Sequence, residues 1–252
     1  VPCGSSGEYN FMSDGEREQV LTFVKDFAKE GETLIAGTNA PHTDGVIENT
    51  RRAKAIGYDT VLLATPFYTK PTDAELEAHF KAVLDAVDVN IVLYSYPDKD
   101  GIELSYDLLD ALADHPRIIG IKESSGSLQR AIGIATRYKD RIQLVSGSDD
   151  IALDFMIWGA ESWICGPANC MGKAVCDLDR TYRSGDLEKA KEQMTTLYNA
   201  MNILESGKFV QKLKYGCELQ GTPVGECRMP LGPLTDDEKK AFQEAMEPIL
   251  NW

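Results

Sequence analysis

The sequence predicts an α/β fold of the (β/α)8 barrel type with a helical C-terminal extension, and three observations carry that prediction. Short apolar, β-branched runs alternate with amphipathic helical stretches as far as Pro167, the pattern of parallel βα units. Several of the runs show no polar alternation, as expected of strands covered by helices on one face and packed side chains on the other. A length of 252 residues suits one such domain.

Taken in order, the expected strands are Thr33–Gly37 (TLIAG), Thr60–Ala64 (TVLLA), Asn90–Tyr94 (NIVLY), Ile118–Lys122 (IIGIK), Gln143–Ser146 (QLVS) and Ser162–Cys165 (SWIC). Apolar periodicity places helices between them over Asp14–Lys29, Val46–Ala55, Asp73–Ala86, Tyr106–Asp114, Leu128–Tyr138 and Ile151–Trp158. After Pro167 the strand signal stops and helices are expected at Gly172–Arg183, Leu187–Glu205, Lys208–Leu219 and Thr235–Asn251. Gly185-Asp186 is a helix break, and Thr235-Asp236-Asp237-Glu238 reads as a capping box. The expected division is a barrel portion over 1–170 and a last barrel helix with a helical region over 171–252. Six strands fall short of the eight of a closed barrel, and the opening Gly4-Ser5-Ser6-Gly7-Glu8 reads as a βα loop without its strand. The first strand or strands are therefore expected to be missing from this chain.

Composition narrows the partners. Forty acidic against 26 basic residues give a formal charge of −14, which argues against nucleic acid and anionic membrane. No apolar run is long enough to span a bilayer. The six cysteines form no C-x-x-C pair and read as reduced thiols of a cytoplasmic protein, and the three histidines have no metal-ligand spacing.

Active sites of such barrels form at the carboxyl ends of the strands. Lys122 ends an otherwise apolar strand, so its amine points into the barrel mouth. Burial of an amine there favours the neutral nucleophile that forms imines. By position alone, the more ordinary reading is a lysine that emerges from the sheet to reach solvent or to pair with Glu123. Tyr94 ends its own strand, where a phenol can carry protons. Ser5 and Ser6 bring two hydroxyls to a tight turn that can cradle a carboxylate. Gly147, Asp149 and Asp150 follow the fifth strand.

The motifs CGSSGE (Cys3–Glu8), AGTNA (Ala36–Ala40), ATPFYTKP (Ala64–Pro71), LYSYP (Leu93–Pro97), GIKESSG (Gly120–Gly126), SGSDD (Ser146–Asp150) and GPAN (Gly166–Asn169) resemble, in register, the dihydrodipicolinate synthase/N-acetylneuraminate lyase family. The likeness extends over essentially the whole chain, through RMPLGPL (Arg228–Leu234). It implies a class I lyase acting on pyruvate or a 2-oxo-3-deoxy acid, without metal or diffusible cofactor. By the same resemblance Lys122 is the imine-forming lysine, Tyr94 its proton shuttle, and Ser5 and Ser6 the carboxylate holders. Ile164 lines the pocket, and Tyr68 reaches a neighbouring subunit of a homodimer or homotetramer.

The chain departs from the synthase pattern in one segment. Where those enzymes read YNVPxRT, this chain reads Tyr94-Ser95-Tyr96-Pro97-Asp98-Lys99-Asp100, so Lys99 takes the position of a substrate-binding arginine. Ser124, Asp149 and Asp150 resemble positions where sugar-acid lyases hold hydroxyls; helix capping and a loop hydroxyl are their ordinary alternatives. The departures tilt the reading toward cleavage or dehydration of a 2-oxo acid. The alternatives are dihydrodipicolinate synthesis from pyruvate and aspartate semialdehyde, an imine-dependent dehydratase or deaminase, and an inactive or regulatory truncated relative.

Overall fold

The computed structural model describes residues 1–252 as two compact units, Val1–Ser148 with Phe155–Ile164, and Asp149–Asp154 with Cys165–Trp252. The first unit is built on a six-stranded parallel sheet in sequential order, β1 (Ala36–Gly37), β2 (Thr60–Ala64), β3 (Asn90–Ser95), β4 (Ile118–Glu123), β5 (Gln143–Ser146) and β6 (Ser162–Trp163). Helices α1 (Asp14–Phe27), α2 (Thr43–Ile56), α3 (Asp73–Ala86), α4 (Pro97–Asp100), α5 (Tyr106–Leu112) and α6 (Leu128–Arg137) come between strands or before β1, and α7 (Ala152–Ile157) precedes β6.

The missing polar alternation has the expected cause. Leu62, Ala64, Val92, Tyr94 and Val145 form one buried cluster on one face of the sheet, with Ile35, Tyr96 and Ile164 packed against it. Their neighbours in sequence, Val61, Leu63, Ile91, Leu93 and Leu144, are buried as well. Both faces are thus removed from water, so neither selects polar residues. The helices begin at side-chain caps: Ser13 with Glu16 and Thr72 with Glu75 close capping boxes, and Ser105 and Ser127 accept from Leu108 N–H and Arg130 N–H.

The eight-stranded count of a closed barrel is not met among residues 1–252. Six strands form, and β1 and β6 each pair on one side only. The expected Thr33–Gly37 strand shrinks to Ala36–Gly37, because only these two residues keep register with β2, against Val61 and Leu62. Gly37 N–H instead donates to Pro2 C=O at 2.9 Å, which ties the N-terminal turn to the carboxyl end of β1. A Cβ on Gly37 would meet Cys3 O at 2.0 Å, so the approach requires glycine. Helix α4 carries no sequence signal, since four residues complete barely one turn.

The β3–β4 pair contains a register shift. Ile91 pairs with Ile118 but Val92 pairs with Gly120, leaving Ile119 as an extra residue, 39% exposed. Beyond it Tyr94 pairs with Lys122, and Ser95 with Glu123.

In the second unit α8 (Ala168–Arg183), α9 (Leu187–Glu205), α10 (Phe209–Leu219) and α11 (Asp236–Leu250) pack together, with Leu178, Leu197, Met201, Phe242 and Met246 buried between them. The division between the units comes at Cys165, a few residues ahead of the expected boundary, and Asp149–Asp154 go with the second unit. No helix is long and apolar enough to cross a membrane.

Candidate active site

The chemistry-bearing residues of the first unit collect where β2, β3, β4 and β5 end. Lys122 and Tyr94 are direct cross-strand partners, so their side chains leave the sheet on the same face. Lys122 is 9% exposed, and its Nζ lies 4.1 Å from the centroid of the Tyr94 ring. The Tyr94 ring in turn lies 5.8 Å from that of Tyr96. A buried amine against a phenol ring at the mouth of a sheet has the chemistry to serve as a nucleophile with a proton carrier beside it.

The rest of β4 holds this amine in place. Glu123, one residue on, turns to the opposite face, where it is fully buried. There Arg130 of α6 donates Nε to it at 2.8 Å, and Ser125 N–H donates to its other oxygen at 2.7 Å. Arg130 also reaches Glu103 at 3.2 Å and donates to Leu104 C=O. The alternative pairing of Lys122 with Glu123 is thereby excluded: the carboxylate's partner is Arg130. Removing either member of this pair would leave an uncompensated buried charge, so it fixes the strand end.

Ser124 is buried and donates to Gly147 C=O at 2.9 Å, while Gly147 N–H donates to Glu123 C=O at 2.9 Å. The Ser124 hydroxyl therefore bridges β4 and β5 and does not stand open for a substrate. Gly147 has no room for a side chain: a Cβ would lie 2.0 Å from Ser124 Oγ and 2.9 Å from Lys122 Cε. Ile164 N–H continues the β5–β6 pairing by donating to Ser146 C=O at 3.0 Å, and its side chain packs on the cluster containing Tyr94.

Ser5 and Ser6 lie on a 3-10 turn over Ser5–Gly7, attached at the same end of the sheet through Gly37. Within it Gly7 N–H donates to Gly4 C=O and Glu8 N–H to Ser5 C=O, so these two backbone donors are already engaged. Tyr68 is 92% exposed in the loop after β2 and has φ of +75°, a strained conformation for a tyrosine. Lys99 is exposed, 5.8 Å from the Tyr96 ring centroid. Asp149 and Asp150 belong to the second unit; there the buried Asp149 carboxylate lies against the Cys165 thiol, which burial, then Asp149, pushes well above the usual thiol range.

Burial sets Asp100, Thr65 and Tyr9 apart, which the sequence pattern alone does not. Asp100, at the end of α4, has a carboxyl raised to about 7 by burial, which the nearby Thr65 hydroxyl partly opposes. Tyr9 is buried with its phenol raised to about 12, chiefly by burial and then by the charge of Asp100. All six cysteines are free thiols, and no group of three or more His, Cys, Asp or Glu side chains is placed to hold a metal.

Replacing Gly147 by alanine is expected to displace Lys122 by the better part of an ångström and slow any chemistry at its amine about 100-fold. The rate of imine formation, followed at a temperature where circular dichroism shows the variant folded, checks this.

The chain matches the model of the Dihydrodipicolinate synthetase family over residues 1–249. It is 38% identical over 250 residues to a 4-hydroxy-tetrahydrodipicolinate synthase of Geobacter sulfurreducens, covering 98% of this chain and 85% of that one. A protein of the same name from Trichlorobacter lovleyi is 36% identical over 247 residues, with the same coverage. Among solved structures, the Acinetobacter baumannii dihydrodipicolinate synthase complexed with pyruvate superposes with a TM-score of 0.93 at 32% identity, over 98% of this chain and 84% of that one. The Aquifex aeolicus dihydrodipicolinate synthase gives 0.92 at 30% identity, with the same coverage. The chain belongs to the dihydrodipicolinate synthetase family of class I aldolase-type lyases.

Proposed function

We propose that this protein is a pyruvate-type lyase working through an imine on Lys122. The observation that carries the proposal is the buried Lys122 amine held 4.1 Å from the Tyr94 ring centroid. Lys122 attacks the ketone carbon of the 2-oxo acid and water leaves, giving a protonated imine. That imine is the electron sink: loss of a proton from the adjacent carbon gives an enamine, which attacks an aldehyde carbonyl. Tyr94 carries protons to and from these oxygens. Ser5 and Ser6 hold the carboxylate, and backbone at Gly147 and Ile164 walls the pocket.

The relatives' names favour condensation of pyruvate with an aldehyde as the reaction, as in dihydrodipicolinate synthesis, over the cleavage to which sequence reading tilted. The engaged hydroxyl of Ser124 points the same way, since it removes one of the expected sugar-hydroxyl contacts. One observation keeps cleavage of a hydroxylated 2-oxo acid as the second reading: Lys99, in place of the arginine, lies exposed on Tyr96.

Incubation with pyruvate and borohydride is expected to add the mass of a reduced pyruvyl group to the intact chain, and not to Lys122→Ala. No adduct on folded wild-type protein would remove the proposal.

The strained, exposed Tyr68 supports a second part of the reading, in which its phenol enters the site of a neighbouring copy. Gel filtration is expected to show a dimer or larger, with Tyr68→Phe lowering turnover without changing its size. A fully active monomer would contradict it.

A further inference from the structure

The corner between the ends of β2 and β3 holds polar groups that the imine steps do not use. Asp100 Oδ2 and Thr65 Oγ1 are both buried, and beyond the contact between these two side chains neither has a hydrogen-bond partner. Buried polar atoms are almost always fully satisfied, because an unmet hydrogen bond in the interior is costly. Two such atoms side by side, close enough for the hydroxyl to favour the charged carboxylate, make a place where a ligand donor would be stabilised.

The local fold presents this carboxyl deliberately. Pro97 starts α4 and Gly101, at φ of +74°, ends it after four residues. Within that turn Asp98 and Lys99 are exposed while Asp100 is turned inward. The buried charge at this corner is therefore an acid, and the lysine that replaces the synthase arginine stays outside it. Tyr9 responds to both Asp100 and Tyr94, which joins this corner to the phenol beside Lys122.

Building on the imine reading, we propose that Asp100 and Thr65 form the subsite that selects the second substrate, taking an aldehyde that presents a hydroxyl or ammonium there in preference to one that presents a carboxylate. The aldehyde meets the enamine carbon and a carbon–carbon bond forms. The electrons of its carbonyl pass to oxygen, which takes a proton from Tyr94, and the imine regenerated on Lys122 is released by water. Asp100 touches only the far end of the acceptor, as an acceptor of its hydrogen bonds.

Charge on Asp100 makes the selection depend on pH. Its carboxyl is raised to about 7, so it is neutral below and charged above that pH. Around it, the Tyr9 phenol is raised to about 12, Arg17 sits over the Tyr9 ring at 5.2 Å, and Lys70 and Lys99 are exposed. An acceptor carboxylate is tolerated while Asp100 is protonated and repelled once it ionises.

The test compares kcat/KM for succinate semialdehyde and for glyceraldehyde, each with pyruvate, at pH 6 and pH 8. The ratio of carboxylate to hydroxyl aldehyde is expected to fall about tenfold across that interval in the wild type, following ionisation near 7. In Asp100→Asn, and in Asp100→Ser as a second replacement, the ratio is expected to be higher at pH 8 and flat with pH. All preparations are first shown to trap the pyruvate adduct, so that a missing adduct in the wild type sinks the imine reading and the subsite with it. With the adduct present, a ratio that ignores pH or the Asp100 variants overturns the subsite alone. Product from the carboxylate aldehyde only, or from neither aldehyde, does the same.

Discussion

The pairing register of β3 and β4 decides what this site can be. Successive residues of a strand face opposite sides, so a slip of one residue exchanges every side chain between faces. Ile91 and Ile118 begin in step, and unbroken pairing from there would set Tyr94 against Ile121 and send Lys122 to the face away from it. The extra residue Ile119 shifts the ladder by one, and Tyr94 then meets Lys122. Everything near the amine follows. Gly120 and Lys122 share the inner face with Tyr94, while Glu123 is turned outward onto Arg130, whose two acidic partners and Leu104 carbonyl anchor the strand end. Gly147 then has to be bare, because β5 passes within van der Waals distance of the lysine stem.

Electrostatics at the site runs against the molecule as a whole. A formal charge of −14 makes the average surface unattractive to an anionic substrate. Arg130 cannot help, since its guanidinium is already committed to Glu123 and Glu103. The buried acid near Tyr94 is Asp100, whose carboxyl burial raises to about 7.

Much of the architecture was legible because it rests on local pattern. The runs Thr60–Ala64 and Gln143–Ser146 form strands over those same residues, and Asp73–Ala86 and Leu187–Glu205 form helices as read, their ends marked by a cap or an apolar period. Lys122 stood out through the motifs around it, since position alone reads as readily as a lysine reaching solvent. What escaped were features set by pairing and burial. The bulge at Ile119 looks like one more apolar residue in IIGIK. The partner of Glu123 is seven residues away on a helix. Asp98 and Asp100 have the same chemistry in sequence, and only the short turn of α4 buries one and exposes the other. The extent of β1 was overestimated because apolar character in Thr33–Ile35 does not supply a ladder partner.

The central claim is that Lys122 and Tyr94 act as one unit that makes an enamine from a 2-oxo acid. Enamine formation exchanges the methyl protons of pyruvate with solvent even without an aldehyde, so the direct measurement is proton NMR of pyruvate with the protein in deuterium oxide. The account predicts loss of the methyl signal well above the buffer rate, abolished in Lys122→Ala and slowed in Tyr94→Phe. Exchange by folded wild type no faster than buffer, or exchange that survives Lys122→Ala, would contradict it.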